Sequence, residues 1–148
     1  MNKVVKFGGS SLASAKQFKK VKDIIMADKS RRYVIPSAPG KRTTNDEKVT
    51  DLLYACYSAA SEGRSYKKIF DAITARYEQI ITGLDLNINL DFEFKTIEEN
   101  FLAKKGRDYA ASRGEYLNGI IMAAYLGYEF IDAADVICFD ADGSFLSE

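Results

Sequence analysis

At 148 residues the chain has room for one domain or part of one, and a domain of that size buries roughly 68–70% of the surface its unfolded form exposes. Lysine plus arginine number 21 and aspartate plus glutamate 21, so the formal net charge is +0 and the basic footprint of a nucleic-acid binder is missing. There is no histidine, which excludes Ser-His-Asp and Cys-His nucleophiles, histidine-ligated zinc and histidine general bases.

In chain order, Asn2 to Phe7 reads as a short buried strand, followed by two glycines (Gly8, Gly9) and two hydroxyls (Ser10, Ser11). Phe18, Val21, Ile24 and Ile25 recur at helical spacing and predict a helix from about Ser14 to Asp28, with Lys16, Lys19, Lys20 and Lys22 on its solvated face. Tyr33 to Ile35 form a second strand, stopped by Pro36. Ser37 to Asn45 is a loop by composition. Thr44 or Asn45 is expected to cap the next helix, with Asp46 and Glu47 in its first turn, Val49, Leu52, Leu53, Cys56 and Ala60 inward, and Gly63 at its end.

A further helix turns Ile69, Ile73, Tyr77, Ile80 and Ile81 inward and stops at Gly83. Leu84, Leu86, Ile88 and Leu90 alternate as in an extended piece. Phe94, Ile97, Phe101 and Leu102 suit a helix closed near Gly106. The last helix runs from Asp108 or Ser112 to Leu126, with Leu117, Ile120, Ile121 and Ala124 inward and Gly127 as terminator. Tyr128 to Ile131 and Val136 to Phe139 read as two more strands. Cys56 and Cys138 sit in apolar patterns and are expected in the core. The order predicts an α/β fold, a three-layer αβα sandwich with a mainly parallel sheet. Residues 1–148 supply only part of it, because four short strands leave the sheet thin. With neither an N-terminal apolar signal nor a run of 18 apolar residues, the expected compartment is the cytoplasm, with no membrane partner.

Three segments carry chemistry. Lys6 with Gly8, Gly9, Ser10 and Ser11 ends a strand in a turn before a helix, where unpaired amides and a lysine suit a phosphate; a plain tight turn is the other reading. The segment matches neither a Walker A loop nor a dinucleotide fingerprint. The loop from Ser37 leaves the second strand at the same sheet edge and offers Ser37, Thr43 and Thr44 to a small polar ligand, or serves only as turn and cap. Ser112-Arg113-Gly114-Glu115 fits a capping box, yet a glycine there costs about 1 kcal/mol against alanine and is best explained by a close approach to its backbone. Asp140-Ala141-Asp142-Gly143 places its glycine too early for a calcium loop and reads as a turn.

Together, Lys6-Phe7-Gly8-Gly9-Ser10-Ser11, the loop from Ser37-Ala38-Pro39-Gly40 to Thr44-Asn45, and Ser112-Arg113-Gly114-Glu115 resemble the amino acid kinase family, and within it the aspartokinases. The resemblance implies an enzyme that moves the γ-phosphoryl group of ATP, with Mg2+, to the side-chain carboxylate of L-aspartate, giving 4-phospho-L-aspartate, the first step of aspartate-family amino acid biosynthesis. It implies that Lys6 is catalytic and contacts the ATP phosphates beside Gly8, Gly9 and Ser10, and that Ser37, Thr44 and Glu115 bind the substrate. It implies no metal-ligating side chains in this segment and a homo-oligomer for the full-length protein. The later substrate-binding arginine, the adenine pocket, a catalytic aspartate and the ACT regulatory domains of such proteins are missing, so residues 1–148 alone are expected to be nearly inactive. Kinases for acetylglutamate, glutamate or UMP, and a non-catalytic piece that completes a split enzyme, are the alternatives.

Overall fold

Two strands, β1 (Lys3–Phe7) and β2 (Arg31–Pro36), pair in parallel in the computed structural model, which describes residues 1–146. Lys6 stands opposite Ile35 and Phe7 opposite Pro36. Strand side chains alternate between faces, and here Val5, Phe7 and Val34 turn to the helical core. Val4, Tyr33 and Ile35 turn outward and are 63%, 54% and 51% exposed. β1 is therefore half-buried, not the buried strand expected, because helices cover only one face of the described sheet.

Between the strands runs α1 (Ala15–Met26), whose Ser14 accepts a hydrogen bond from the Gln17 amide and so caps the helix. Phe18, Val21 and Ile25 are buried, whereas Ile24, expected inward, is half exposed. Lys16, Lys19 and Lys20 are solvated as expected. Lys22 is not free: its Nζ donates to the Tyr125 carbonyl at 3.0 Å and lies 4.3 Å from that ring's centre. An ammonium suits the last carbonyls of a helix, so this contact ties α1 to the end of the helix that closes at Leu126.

Four more helices follow: α2 (Val49–Ser61), α3 (Lys67–Gly83), α4 (Asp91–Leu102) and α5 (Arg107–Leu126). Leu53, Cys56, Ile73, Tyr77, Ile80, Phe101, Leu117 and Ile121 are almost wholly buried where they meet. Each large apolar side chain so buried contributes roughly 1.5–3 kcal/mol. Burial pushes the Cys56 thiol up to about 12, which makes it an inert core residue. Gly63 and Gly127 take φ of +70° at the ends of α2 and α5, where a left-handed residue closes a helix.

The departures from expectation share a cause: a strand forms only beside a partner. Tyr128 to Ile131 has no ladder among the described residues, and Phe130 instead packs edge-on against Tyr116 of α5, ring centres 5.6 Å apart. Of Val136 to Phe139, Val136 ends the short helix α6 (Ala133–Val136), and Phe139 makes one isolated antiparallel bridge to Phe145. Among the described residues the sheet therefore has two strands where four were expected. Leu84 to Leu90 is a covering loop that buries Leu84 and Leu90 rather than a strand. Cys138 and Ala124 are exposed. Asp140 accepts from the amides of Asp142 and Ser144 and makes the predicted turn. No helix among the described residues is long and apolar enough to cross a membrane.

Candidate functional site

The ends of the two strands are joined by a hydrogen bond from the Ser37 amide to the Phe7 carbonyl at 3.0 Å, so the loops after β1 and β2 leave the sheet side by side. Gly8 is extended, and Gly9–Leu12 form a short 3-10 turn. The second glycine makes the tight contact. A Cβ on Gly9 would lie 2.8 Å from the Ala38 oxygen, and one on Gly40 would lie 2.6 Å from the Gly9 carbonyl carbon. The Gly40 amide donates to the Gly9 oxygen at 2.8 Å. Two backbones thus lie against each other with no room for a side chain on either.

A third wall comes from α5. Ser112 and Glu115 do not cap it, because the helix begins at Arg107, as the Asp108 start predicted. Ser112 lies inside the helix and donates to the Tyr109 carbonyl at 2.7 Å. The close approach expected at Gly114 is present, and the neighbour is the chain itself: a Cβ there would be 2.6 Å from the Cβ of Ala38. Buried Asn118, one turn on, donates to the Ser37 carbonyl at 2.7 Å. Tyr77 of α3 donates to the Gly114 carbonyl at 2.9 Å. Its phenol is raised well above the ordinary range, first by complete burial and then by the nearby Glu115 charge, so it remains a neutral donor.

These walls enclose an open cleft of about 470 Å³. Gly9 and Ser10 line it from the first loop, Ser37 to Lys41 from the second, and Glu115 from α5. Lys48 and Thr50, at the start of α2, complete it. The structure so gathers four of the seven predicted residues: Gly9, Ser10, Ser37 and Glu115. Gly8 and Lys6 stand next to the cleft in sequence without lining it, and Lys6 is exposed at the end of β1 on the outer face of the sheet. Thr44 is exposed on the far part of the loop and does not line it; Thr50 is the threonine that does.

Lys48 and Thr50 were not singled out because the helix cap falls at Lys48, three or four residues beyond the predicted Asn45 or Thr44. Asp46, expected to begin that helix, is engaged elsewhere: Arg42 Nε reaches its Oδ2 at 2.7 Å, Arg42 Nη2 its Oδ1 at 2.9 Å, and Arg76 Nη1 its Oδ2 at 3.3 Å. A lysine preceding α2 was a usable signal, since a cation at a helix N-terminus opposes the dipole and is a poor cap.

The guanidinium and amide of Arg42, with Arg76 beyond, hold the Asp46 carboxyl well below its ordinary value of 3.8. A carboxyl lowered on folding adds stability above the unfolded-state pKa and loses it as pH falls through that value toward the folded one. Asp46→Asn is therefore expected to flatten the acid limb of a plot of Tm against pH between about 5 and 3. The share owed to Asp28, similarly lowered by Lys3 and Ser30, remains. A limb identical to that of the unsubstituted chain refutes the assignment.

A parallel sheet with a glycine turn, and a cleft at its carboxyl edge lined by two lysines and one carboxylate, define an α/β protein with a charged cleft where such sheets place their sites. The chain belongs to the amino acid kinase family, whose pattern matches residues 1–145. It is 38% identical over 145 residues to aspartokinase 3 of Bacillus subtilis, covering 94% of this chain and 32% of that protein. It is 34% identical over 150 residues to aspartokinase 1, chloroplastic, of Arabidopsis thaliana, covering 93% of this chain and 25% of that one. The crystal structure of Clostridium acetobutylicum aspartate kinase superposes with a TM-score of 0.92 at 51% identity, over 96% of this chain and 33% of that one. E. coli aspartokinase III in complex with aspartate and ADP shares the fold, at a TM-score of 0.67 and 23% identity over 86% of this chain and 29% of that one. The chain thus spans a quarter to a third of the length of these relatives.

Proposed function

We propose that this chain is the N-terminal part of an aspartate kinase and supplies the phosphate turn and the amino-acid anchor of its active site. The observation that carries this is the meeting of the Gly9-Ser10 turn and Glu115, more than a hundred residues apart, on one cleft. The charges suit the substrate. Lys41 and Lys48 give the cleft two ammonium groups against the single carboxylate of Glu115. A dicarboxylic amino acid has the opposite set, one ammonium and two carboxylates. Glu115 takes the substrate ammonium, and lysines and hydroxyls (Ser37, with Thr50 in place of Thr44) take the carboxylates.

The reaction needs no histidine. An oxygen of the side-chain carboxylate, already ionised near pH 7, attacks the γ-phosphorus of ATP, and the bond to the β,γ-bridging oxygen breaks to release ADP. The amides near Gly8, Gly9 and Ser10 bind phosphate oxygens, and Lys6, on its flexible stem at the rim, neutralises charge on the transferring group. The described residues contain no cluster of three His, Cys, Asp or Glu able to hold a metal. Magnesium would enter on the nucleotide phosphates, which is its usual mode beside kinases. We place the protein in the cytoplasm as a homo-oligomer, without nucleic-acid or membrane partners.

A second reading, that the chain joins another polypeptide to complete the catalytic unit, is supported by the outward-facing Val4, Tyr33 and Ile35 of the sheet. Hydroxylamine trapping of acyl phosphate tests the kinase reading. The complete protein containing these residues is expected to form aspartyl hydroxamate with ATP and L-aspartate, and residues 1–148 alone little or none. Hydroxamate from acetylglutamate or glutamate but not from aspartate overturns the substrate assignment, and turnover by the isolated chain overturns its incompleteness.

A further inference from the structure

One charged side chain is buried where the helix pattern leads to an apolar one. Arg76 of α3 is 5% exposed, between the core residues Ile73, Tyr77 and Ile80. A guanidinium is kept in such a place only when its donors are used. Its Nη2 donates to the Gly40 carbonyl at 2.6 Å and its Nη1 to the Glu47 carbonyl at 2.9 Å. Those two carbonyls bracket residues 40–47 of the second loop. Gly40 in turn donates to Gly9 at 2.8 Å, so the chain of contacts runs from α3 through the second loop into the phosphate turn. Arg42 adds an outer stay, from its Nη1 to Gln79 of the same helix at 2.9 Å.

We propose that Arg76 is a positioning residue for phosphoryl transfer: it clamps both ends of the 40–47 loop to α3 and thereby presses Gly40 onto Gly9 to preform the cleft. This rests on the kinase reading for its effect on catalysis but not for its effect on the loop. Arg76 does not line the cleft, so it acts through the backbone it holds. Both bonds go to main-chain oxygens, which makes the forked guanidinium, not charge alone, the required feature. The two bonds start from different nitrogens of one rigid fork, whereas a lysine's donors all radiate from a single nitrogen. The groups that face Arg76 are Asp46, Arg42 and Tyr77; burial, then Arg42, lowers its pKa, and the side chain nonetheless remains charged at any working pH.

Two measurements on Arg76→Lys and Arg76→Met test this. The first is trypsin cleavage of the chain after Lys41, Arg42 and Lys48, all exposed on this loop. Both variants are expected to be cut there about tenfold faster, with sites outside the loop unaffected, because only the loop opens. The second is kinetics in the complete protein. Arg76→Lys is expected to lose about tenfold or more in kcat/KM, mostly through a raised KM for aspartate, since misplacing a substrate-holding backbone by about 1 Å can cost up to about 100-fold. Unchanged loop cleavage in both variants overturns the clamp. Loop-selective cleavage with unchanged kinetics overturns its role in positioning. A uniform rise in cleavage at every site, tracking a lower Tm, makes Arg76 a general stabiliser and also overturns it. Unsubstituted complete protein that forms no acyl phosphate sinks the kinase reading, while the cleavage result still decides the clamp.

Discussion

Gly40→Ala is expected to lower stability by about 1–3 kcal/mol and to distort the cleft, because the added methyl has no space to enter. Its Cβ would fall 2.6 Å from the Gly9 carbonyl carbon and 2.8 Å from the Ser10 nitrogen. Both are main-chain atoms, so no side-chain rotation relieves the clash, and the two loops must part. Parting them breaks the Gly40-to-Gly9 hydrogen bond and moves the amides that would face phosphate. For a protein of about this size that loss corresponds to a fall in Tm of roughly 3–10 °C. Gly9→Ala is expected to behave alike, since its methyl meets the Ala38 oxygen at 2.8 Å. Gly8→Ala is the control: nothing lies within 4 Å of its added carbon, and its φ of −76° suits any residue. Equal melting temperatures for Gly8→Ala and Gly40→Ala would refute the interlock.

Lys6→Ala in the complete protein is expected to lower kcat by about 10²–10³-fold, the usual cost of deleting one donor aimed at developing charge. The fold should survive. Lys6 is exposed on the outer face of β1 and its side chain makes no hydrogen bond or ion pair among the described residues. A lysine so placed has no structural duty that its loss could betray, so Tm is expected to hold while turnover falls. A kcat within about threefold of the unsubstituted value removes Lys6 from the mechanism and moves the phosphate charge to Lys41 or Lys48, the cations that line the cleft.

The helices were legible in the sequence because their information is local. Phe18, Val21 and Ile25 repeat at helical spacing, and Gly63 and Gly127 mark stops that need positive φ. The strands after α5 were not, because Tyr128 to Ile131 and Val136 to Phe139 have strand-like composition, yet a ladder depends on a neighbour that local pattern cannot supply. Half of the candidate site was legible for a similar reason. Gly9, Ser10, Ser37 and Glu115 sit in short motifs. The start of α2 was not legible because a Thr-Asn pair before two acids looks like a helix cap, and only Arg42 and Arg76, the latter thirty residues away from Asp46, reveal that this acid belongs to a folded loop. Gly114 was read correctly as a close approach, while the identity of the neighbour, Ala38, required the third dimension.

The bare outer face of the sheet bears on how this chain behaves in solution. Each strand has one open border, and Val4, Tyr33 and Ile35 offer adhesive surface beside it. Lys6, exposed on that face, interrupts the surface with a charge and acts as a gatekeeper against stacking of one molecule on another. The repulsion between two such lysines is shielded by salt, so contact of one molecule with another through this face should strengthen as ionic strength rises.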